Sequence, residues 1–272
     1  MKNTPFDRSL KALFDILDGA LRGFSEAETE NRVLEFRRLR LEGMFERGLL
    51  PDPLLLAGAA RDLYGAAPEA YGDFVSAWMS ERPVEAEMIR FGVKALESGQ
   101  VPCDRGDSAV CAVLEASFKA AHETDRLMGL LRFAPVPLCR ENGVFSGAPG
   151  AVYAARCAPD HYVLPGLAGH FALRFGGERW AVVDERRGVV LVCEDGRPRC
   201  AAAREWAGEF PPDPCADLWR LYHRSINNES RNNADLQRQY LPVRYRKYLA
   251  EFDASENGEQ AKDGAVQGTL DL

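Results

Sequence analysis

No stretch of this chain approaches the ~20 consecutive apolar residues that a bilayer crossing needs, and the opening MKNTPFDRSL has one lysine with no apolar segment behind it. Neither a membrane span nor a secretory leader is expected. The cysteines at 103, 111, 139, 157, 193, 200 and 215 form no C-x-x-C pair. That argues against a zinc ribbon and an iron–sulfur run. Free, mostly buried thiols in a reducing cytoplasm are the simplest account. The histidines, 122, 161, 170 and 223, show no H-x-H or H-x-x-x-H spacing, so no metal site is expected. The sequence also contains no P-loop, no G-x-G-x-x-G and no G-x-S-x-G around Ser146. The usual nucleotide-binding and serine-hydrolase routes are thereby left without support.

What is present is an ordinary globular composition, 46% hydrophobic and 28% charged, with a formal net charge of -7. That charge is uneven. Residues 219–249 carry seven Lys or Arg against two Asp or Glu, and residues 250–272 carry one against six. Within the basic stretch Trp219, Tyr222, Tyr240, Tyr245 and Tyr248 alternate with the cations. Cations among aromatics can neutralise phosphates and stack on bases; they can equally be a solvated helix face with aromatic core anchors. An acidic body with one basic segment suggests a local anion-docking surface.

Hydrophobic spacing predicts helices over most of residues 1–130. The first, capped by Asp7 or Ser9, turns Leu10, Leu13, Phe14, Leu17 and Leu21 to one face. Residues 25–48 are charged and helical in part, and Pro51 and Pro53 break them. Further helices follow at 53–64, 68–80, 84–98 and 107–131. The period then changes. Strands are predicted near 131–136, where Pro135 and Pro137 would put the strand at an edge or end it, and at 151–157. A helix over 163–175 tolerates Pro165 in its first turn. Residues 179–183 and 188–193 form an antiparallel hairpin, and a helix spans 213–226. The expected fold is therefore α+β: a mostly helical region at 1–130, then a core at 131–252 in which a small antiparallel sheet packs with helices, with the basic segment at its C-terminal end. A disordered tail is expected at 253–272.

Pro159-Asp160-His161 and Asp184-Glu185-Arg186-Arg187 put carboxylates on two neighbouring elements with cations close by. Asp160, His161 and Asp184 are candidate catalytic groups if the chain cleaves nucleic acid; a helix cap and a turn are the plain alternatives. Arginine in place of lysine cannot act as a base. The chain ends Gln267-Gly-Thr-Leu-Asp-Leu272. Gln267, Leu270 and Leu272 resemble the short linear motif by which bacterial proteins dock on the replication sliding clamp, one amide and two apolar side chains on a flexible tether.

Several segments together, LMGLLRF (127–133), YAARCAPDHYVLPGLAGHFALRF (153–175), WAVVDERRGVVL (180–191) and LWRLYHRSINNESRNNADLQRQYLPVRYRKYL (218–249), resemble a bacterial family of DNA-metabolism or DNA-repair proteins. Its members are typically encoded beside a radical S-adenosylmethionine protein, and a related domain occurs fused ahead of uracil-DNA-glycosylase-like domains. The start, FDRSLKALFDIL (6–17), resembles the family's opening Asp-Gly-Ser segment, with Arg8 in place of the glycine. The family pattern has His directly followed by Arg before GxLRF; here His122 precedes Arg126 by one helical turn. The resemblance implies a setting rather than a reaction. Without C-x-x-x-C-x-x-C the chain is not expected to hold the radical-initiating cluster itself, and no cofactor is expected. It implies a cytoplasmic DNA-binding accessory protein, partnered by the radical S-adenosylmethionine protein. Arg132, Arg174, Arg187, Arg231, Asn232, Gln237, Arg238, Arg244, Tyr245 and Lys247 are its candidate nucleic-acid contacts. A nucleic-acid hydrolase or glycosylase-like enzyme, and an adaptor that touches protein only, are the alternatives.

Overall fold

The computed structural model describes residues 7–45, 47–51, 55–137, 144–145, 150–206, 208–210, 216–226, 233 and 241–249. Six helices come first: α1 (Arg8–Leu21), α2 (Glu26–Leu41), α3 (Gly58–Ala66), α4 (Pro68–Met79), α5 (Glu85–Ser98) and α6 (Ser108–Leu130). Their ends are chemically marked. Asp7 caps α1 by accepting from the N–H groups of Ser9 and Leu10. Ser25 and Glu28 form a reciprocal capping box on α2, and Asp107 caps α6. Pro68 occupies the first turn of α4, where a missing N–H costs nothing. Gly99, at φ 66°, stops α5 in the left-handed conformation that favours glycine.

Five strands follow, with one helix among them: β1 (Ala134–Pro137), β2 (Ala151–Cys157), α7 (Leu164–Phe175), β3 (Trp180–Asp184), β4 (Val189–Glu194) and β5 (Arg197–Ala202). The strand order is β1-β2-β3-β4-β5. β1 lies on the edge, as its two prolines require. The sheet expected to be antiparallel is mixed: β2 and β3 run parallel, Cys157 opposite Asp184. Only a crossover can join parallel neighbours, and α7 is that crossover. β5 was not foreseen, although Asp195-Gly196 signals a tight hairpin turn; both residues have positive φ, 53° and 68°. Helices α8 (Ala216–Ile226) and α9 (Val243–Arg246) complete the described elements.

Both sheet faces are buried, which explains why β3 and β4 read as unbroken apolar runs. Trp180, Val182 and Leu191 face the helices and join one buried cluster that runs from Leu10 in α1 to Tyr245 in α9. Ala181, Val183, Val190 and Val192 face the other way, against Val144, Phe145, Trp206 and Phe210. The first cluster includes residues on both sides of Leu130. Residues 253–272, expected to be disordered, lie outside the described residues. Among the described residues no helix is long and apolar enough to cross a membrane. Five described cysteines are free thiols: 157, 193 and 200 buried, 103 and 111 exposed.

Phe171 on α7 is fully buried and meets the rings of Phe133, Phe175 and Trp180 at centroid distances of 4.9, 6.3 and 6.0 Å. Phe171→Ala should cost about 3–5 kcal/mol in chemical denaturation. Leu173→Ala, on the exposed side of the same helix, should stay within about 0.5 kcal/mol.

Candidate functional site

The parallel pairing of β2 and β3 puts their carboxyl ends side by side. From the end of β2 runs the connection Pro159–Tyr162; from the end of β3 runs the turn Asp184–Arg187. The first is tied on every side. The Glu123 carboxylate, on α6, accepts the backbone N–H groups of Asp160 and His161 at 3.0 and 2.8 Å. The carbonyls of Pro159 and Asp160 accept from Arg187 at 3.0 and 2.7 Å. The Tyr162 N–H donates to Met79 O at 2.8 Å, and its hydroxyl donates to Gly48 O at 3.0 Å. His161 Nδ1 lies 2.9 Å from the Ser80 carbonyl. A carbonyl only accepts, so Nδ1 carries the proton and Nε2 of the neutral ring is left as the acceptor.

Beneath this segment lies a buried ionic chain. Arg187 bridges Glu81, 2.6 Å away, and Asp184, 3.0 Å away. Arg47 meets Glu81 at 2.6 Å and stacks over the Tyr162 ring at 4.5 Å. Arg40 and Arg37 meet Glu85 at 3.2 and 2.6 Å. Burial raises the Glu81 pKa, but Arg47 and Arg187 outweigh it and hold the carboxyl below its ordinary value. Burial pushes Asp184 up, and Arg187 offsets only part of that. Glu81 sits at φ 55° without being glycine, a conformation costing roughly 1–2 kcal/mol. Its arginines pin it there. On the α1 side, Asp7 accepts from Ser9 Oγ at 2.6 Å and from the Gly48 N–H at 2.9 Å. Ser9 Oγ in turn accepts from Trp78 Nε1 at 2.9 Å.

On the outer side, Glu123 also accepts from the Tyr245 hydroxyl and meets Arg244 at 3.1 Å. Asp160 pairs with Arg244 at 2.6 Å and with Arg186 at 2.9 Å. Burial raises the Glu123 pKa, yet the Tyr245 hydroxyl and the two backbone N–H groups together hold it below the ordinary carboxylate value. Burial, then the bond to Glu123, pushes the Tyr245 phenol up. Above this layer opens a cavity of about 260 Å³, lined by Phe118, Lys119, His122, Arg126, Asp160, His161 and Arg244, with Glu123 at its floor. His122 and Arg126, one turn apart on α6, touch at 3.3 Å.

The candidate residues thus separate. Asp160, His161 and Arg244 meet at the cavity. Tyr245, expected to stack on a base, is instead buried with its hydroxyl engaged by Glu123. Arg187, expected on a binding surface, has its side chain drawn inward, 8% exposed, where it neutralises two carboxylates and satisfies two carbonyls at the ends of the parallel strands. Asp184 is fully enclosed, its oxygens held by Arg187 and by the N–H groups of Arg186 and Arg187. Lys247 is exposed, 3.5 Å from Glu185. Arg132 folds back on the carbonyls of Gly129 and Leu130. Arg174 is exposed in the last turn of α7. Arg231, Asn232, Gln237, Arg238 and the clamp-like Gln267, Leu270 and Leu272 lie outside the described residues. Among the described residues no three His, Cys, Asp or Glu side chains group as a metal set.

Glu123, Glu81 and Arg47 escaped the sequence reading. Glu123 did leave a trace: it continues the buried stripe Val113, Ala116, Ala120, Leu127 of α6 at helical spacing. A carboxylate on a core face needs partners.

Two outcomes test the site. Arg187→Ala should destabilise by about 3–5 kcal/mol, since it leaves Glu81 and Asp184 as buried charges without their shared partner. Glu123 has a folded pKa below its ordinary 4.5. Its stabilisation is therefore complete above that value and is lost as pH falls through the lowered one. Urea midpoints measured from about pH 7 down to about pH 3 should fall less steeply at the acid end for Glu123→Gln than for the native chain.

A model of a family described as a domain of unknown function (DUF4130) matches residues 85–251, the span from α5 through α9 that supplies the cavity. No curated protein and no solved structure matches the chain. Since the match covers more than half of its length, the chain belongs to the DUF4130 family.

Proposed function

We propose that this chain is a DNA-binding accessory protein in DNA repair or modification, and that the cavity between α6, the Pro159–Tyr162 connection and α9 receives the DNA backbone. One observation carries the reading. In an acidic chain of net charge -7, Lys119, Arg126 and Arg244 gather around one polar cavity with two imidazoles. The carboxylates there are already engaged. Glu123 holds backbone N–H groups, Tyr245 and Arg244, Asp160 bridges Arg244 and Arg186, and Lys119 pairs with Glu115 at 2.6 Å on the solvent side. Guanidinium groups so fixed present oriented donors to a phosphate. The family resemblance supplies the DNA-repair setting and a radical S-adenosylmethionine partner. The ending Gln267-Gly-Thr-Leu-Asp-Leu272 supports tethering to the sliding clamp.

A second reading, a nucleic-acid hydrolase, is favoured by the His161 tautomer. Its unprotonated Nε2 could take a proton from an attacking water, beside the cationic groups. On that reading His161 and Asp160 act and Asp184 does not, because Asp184 is enclosed. A protein-only adaptor is the third.

The test is a salt series with labelled DNA. Affinity should fall linearly on log–log axes, and Lys119→Ala or Arg126→Ala should each reduce the slope by about one. Binding that ignores salt, or no binding at all, defeats the DNA reading. Product formation that His161→Ala abolishes selects the hydrolase, and partner capture that survives nuclease selects the adaptor.

A further inference from the structure

The cavity has a feature that backbone contact does not require, an aromatic platform at its rim. We propose that it seats one unpaired nucleotide of a single strand, the base lying on Phe118 and His122 and its phosphate held by Arg126 and Arg244. This rests on the DNA reading and names the strand state and the recognition element within it.

Phe118 is 69% exposed on α6. A single exposed apolar residue is ordinary in itself. What distinguishes this one is its setting. Its ring is stacked against the His122 imidazole, centroids 5.7 Å apart and planes within 30°, and both rings line the cavity together with Lys119, Arg126 and Arg244. Base–aromatic stacking is worth about 1–3 kcal/mol per base and needs only an accessible π-face.

The polar groups then match a base edge beside a phosphate. A guanidinium only donates, so the contact from Arg126 Nη2 makes His122 Nδ1 an acceptor and places the neutral ring's proton on Nε2. His161 has the opposite tautomer, with Nε2 as acceptor. With the base on the His122 face, His161 Nε2 is the acceptor that the cavity offers to the base edge. At about 260 Å³ the cavity falls just short of the range in which pockets for drug-sized ligands begin, about 300 Å³. That suits one nucleotide of a strand. In a duplex the base would remain in its stack, beyond reach of the platform.

The experiment uses the full chain with three labelled oligonucleotides of equal length: single-stranded, duplex, and single-stranded with abasic sites. The single strand should bind at least about tenfold more tightly than the other two, and Phe118→Ala should weaken that binding about five- to 150-fold, the range that the stacking energy implies. Phe118→Trp should restore affinity, and the new indole's fluorescence should be quenched by bound bases. Equal affinity for all three oligonucleotides, with Phe118→Ala unchanged and the salt dependence intact, overturns the nucleotide seat while leaving backbone binding in place. Loss of salt-sensitive binding to every oligonucleotide overturns the DNA reading beneath it.

Discussion

The Glu123 carboxylate is the constraint around which the site is arranged. It enters the core from the middle of α6 and accepts two consecutive backbone N–H groups, those of Asp160 and His161. A buried carboxylate survives only with donors of this kind. Here they come from a strand-to-helix connection that has no regular hydrogen-bonding pattern of its own. Each side thus satisfies the other: the helix keeps an ionised group inside, and the loop has its free donors occupied. Tyr245 and Arg244 join from α9, so the C-terminal part of the family domain is fastened to the same carboxylate, through its Oε1.

Beneath that point, charge is compensated in series. Arg187 serves Glu81, Asp184 and two carbonyls at once, which only a planar fork of five donors can do. Glu81 links it to Arg47, and Arg47 covers Tyr162. The chain of contacts reaches α1 through Gly48 and Asp7. Residues before position 85, outside the matched family span, therefore hold the floor on which Asp160 and His161 sit. The left-handed Glu81 belongs to this arrangement, since backbone strain persists where its surroundings over-determine it.

Much of the fold was legible from pattern. The Asp7 cap and apolar stripe of α1, and prolines at β1 and in the first turn of α7, each act locally. The Asp195-Gly196 hairpin was legible too, although β5 was missed. The candidate site was half legible. Asp160, His161 and Arg244 could be named because charged and imidazole side chains stand out in sequence. Arg187 and Tyr245 could be named but not placed. A cation or aromatic looks the same in a sequence whether it faces water or neutralises a buried carboxylate.

By itself, the sequence marked most of the helices and the strand that carries Pro135 and Pro137, although it began at 53 the helix that starts at Gly58; among the described residues no helix is long and apolar enough to cross a membrane. Those marks depend on neighbours within one turn or one hairpin. Only the tertiary structure decided that β2 and β3 run parallel. That direction, set by the α7 crossover, brings the ends of both strands to one edge, so that Asp160 and Arg187 meet; antiparallel pairing would have set them at opposite ends. It also decided which cations are drawn inward and which line the cavity, because these positions depend on partners more than 100 residues apart: Glu81 holds Arg187 inside, and Glu123 holds Arg244 at the cavity.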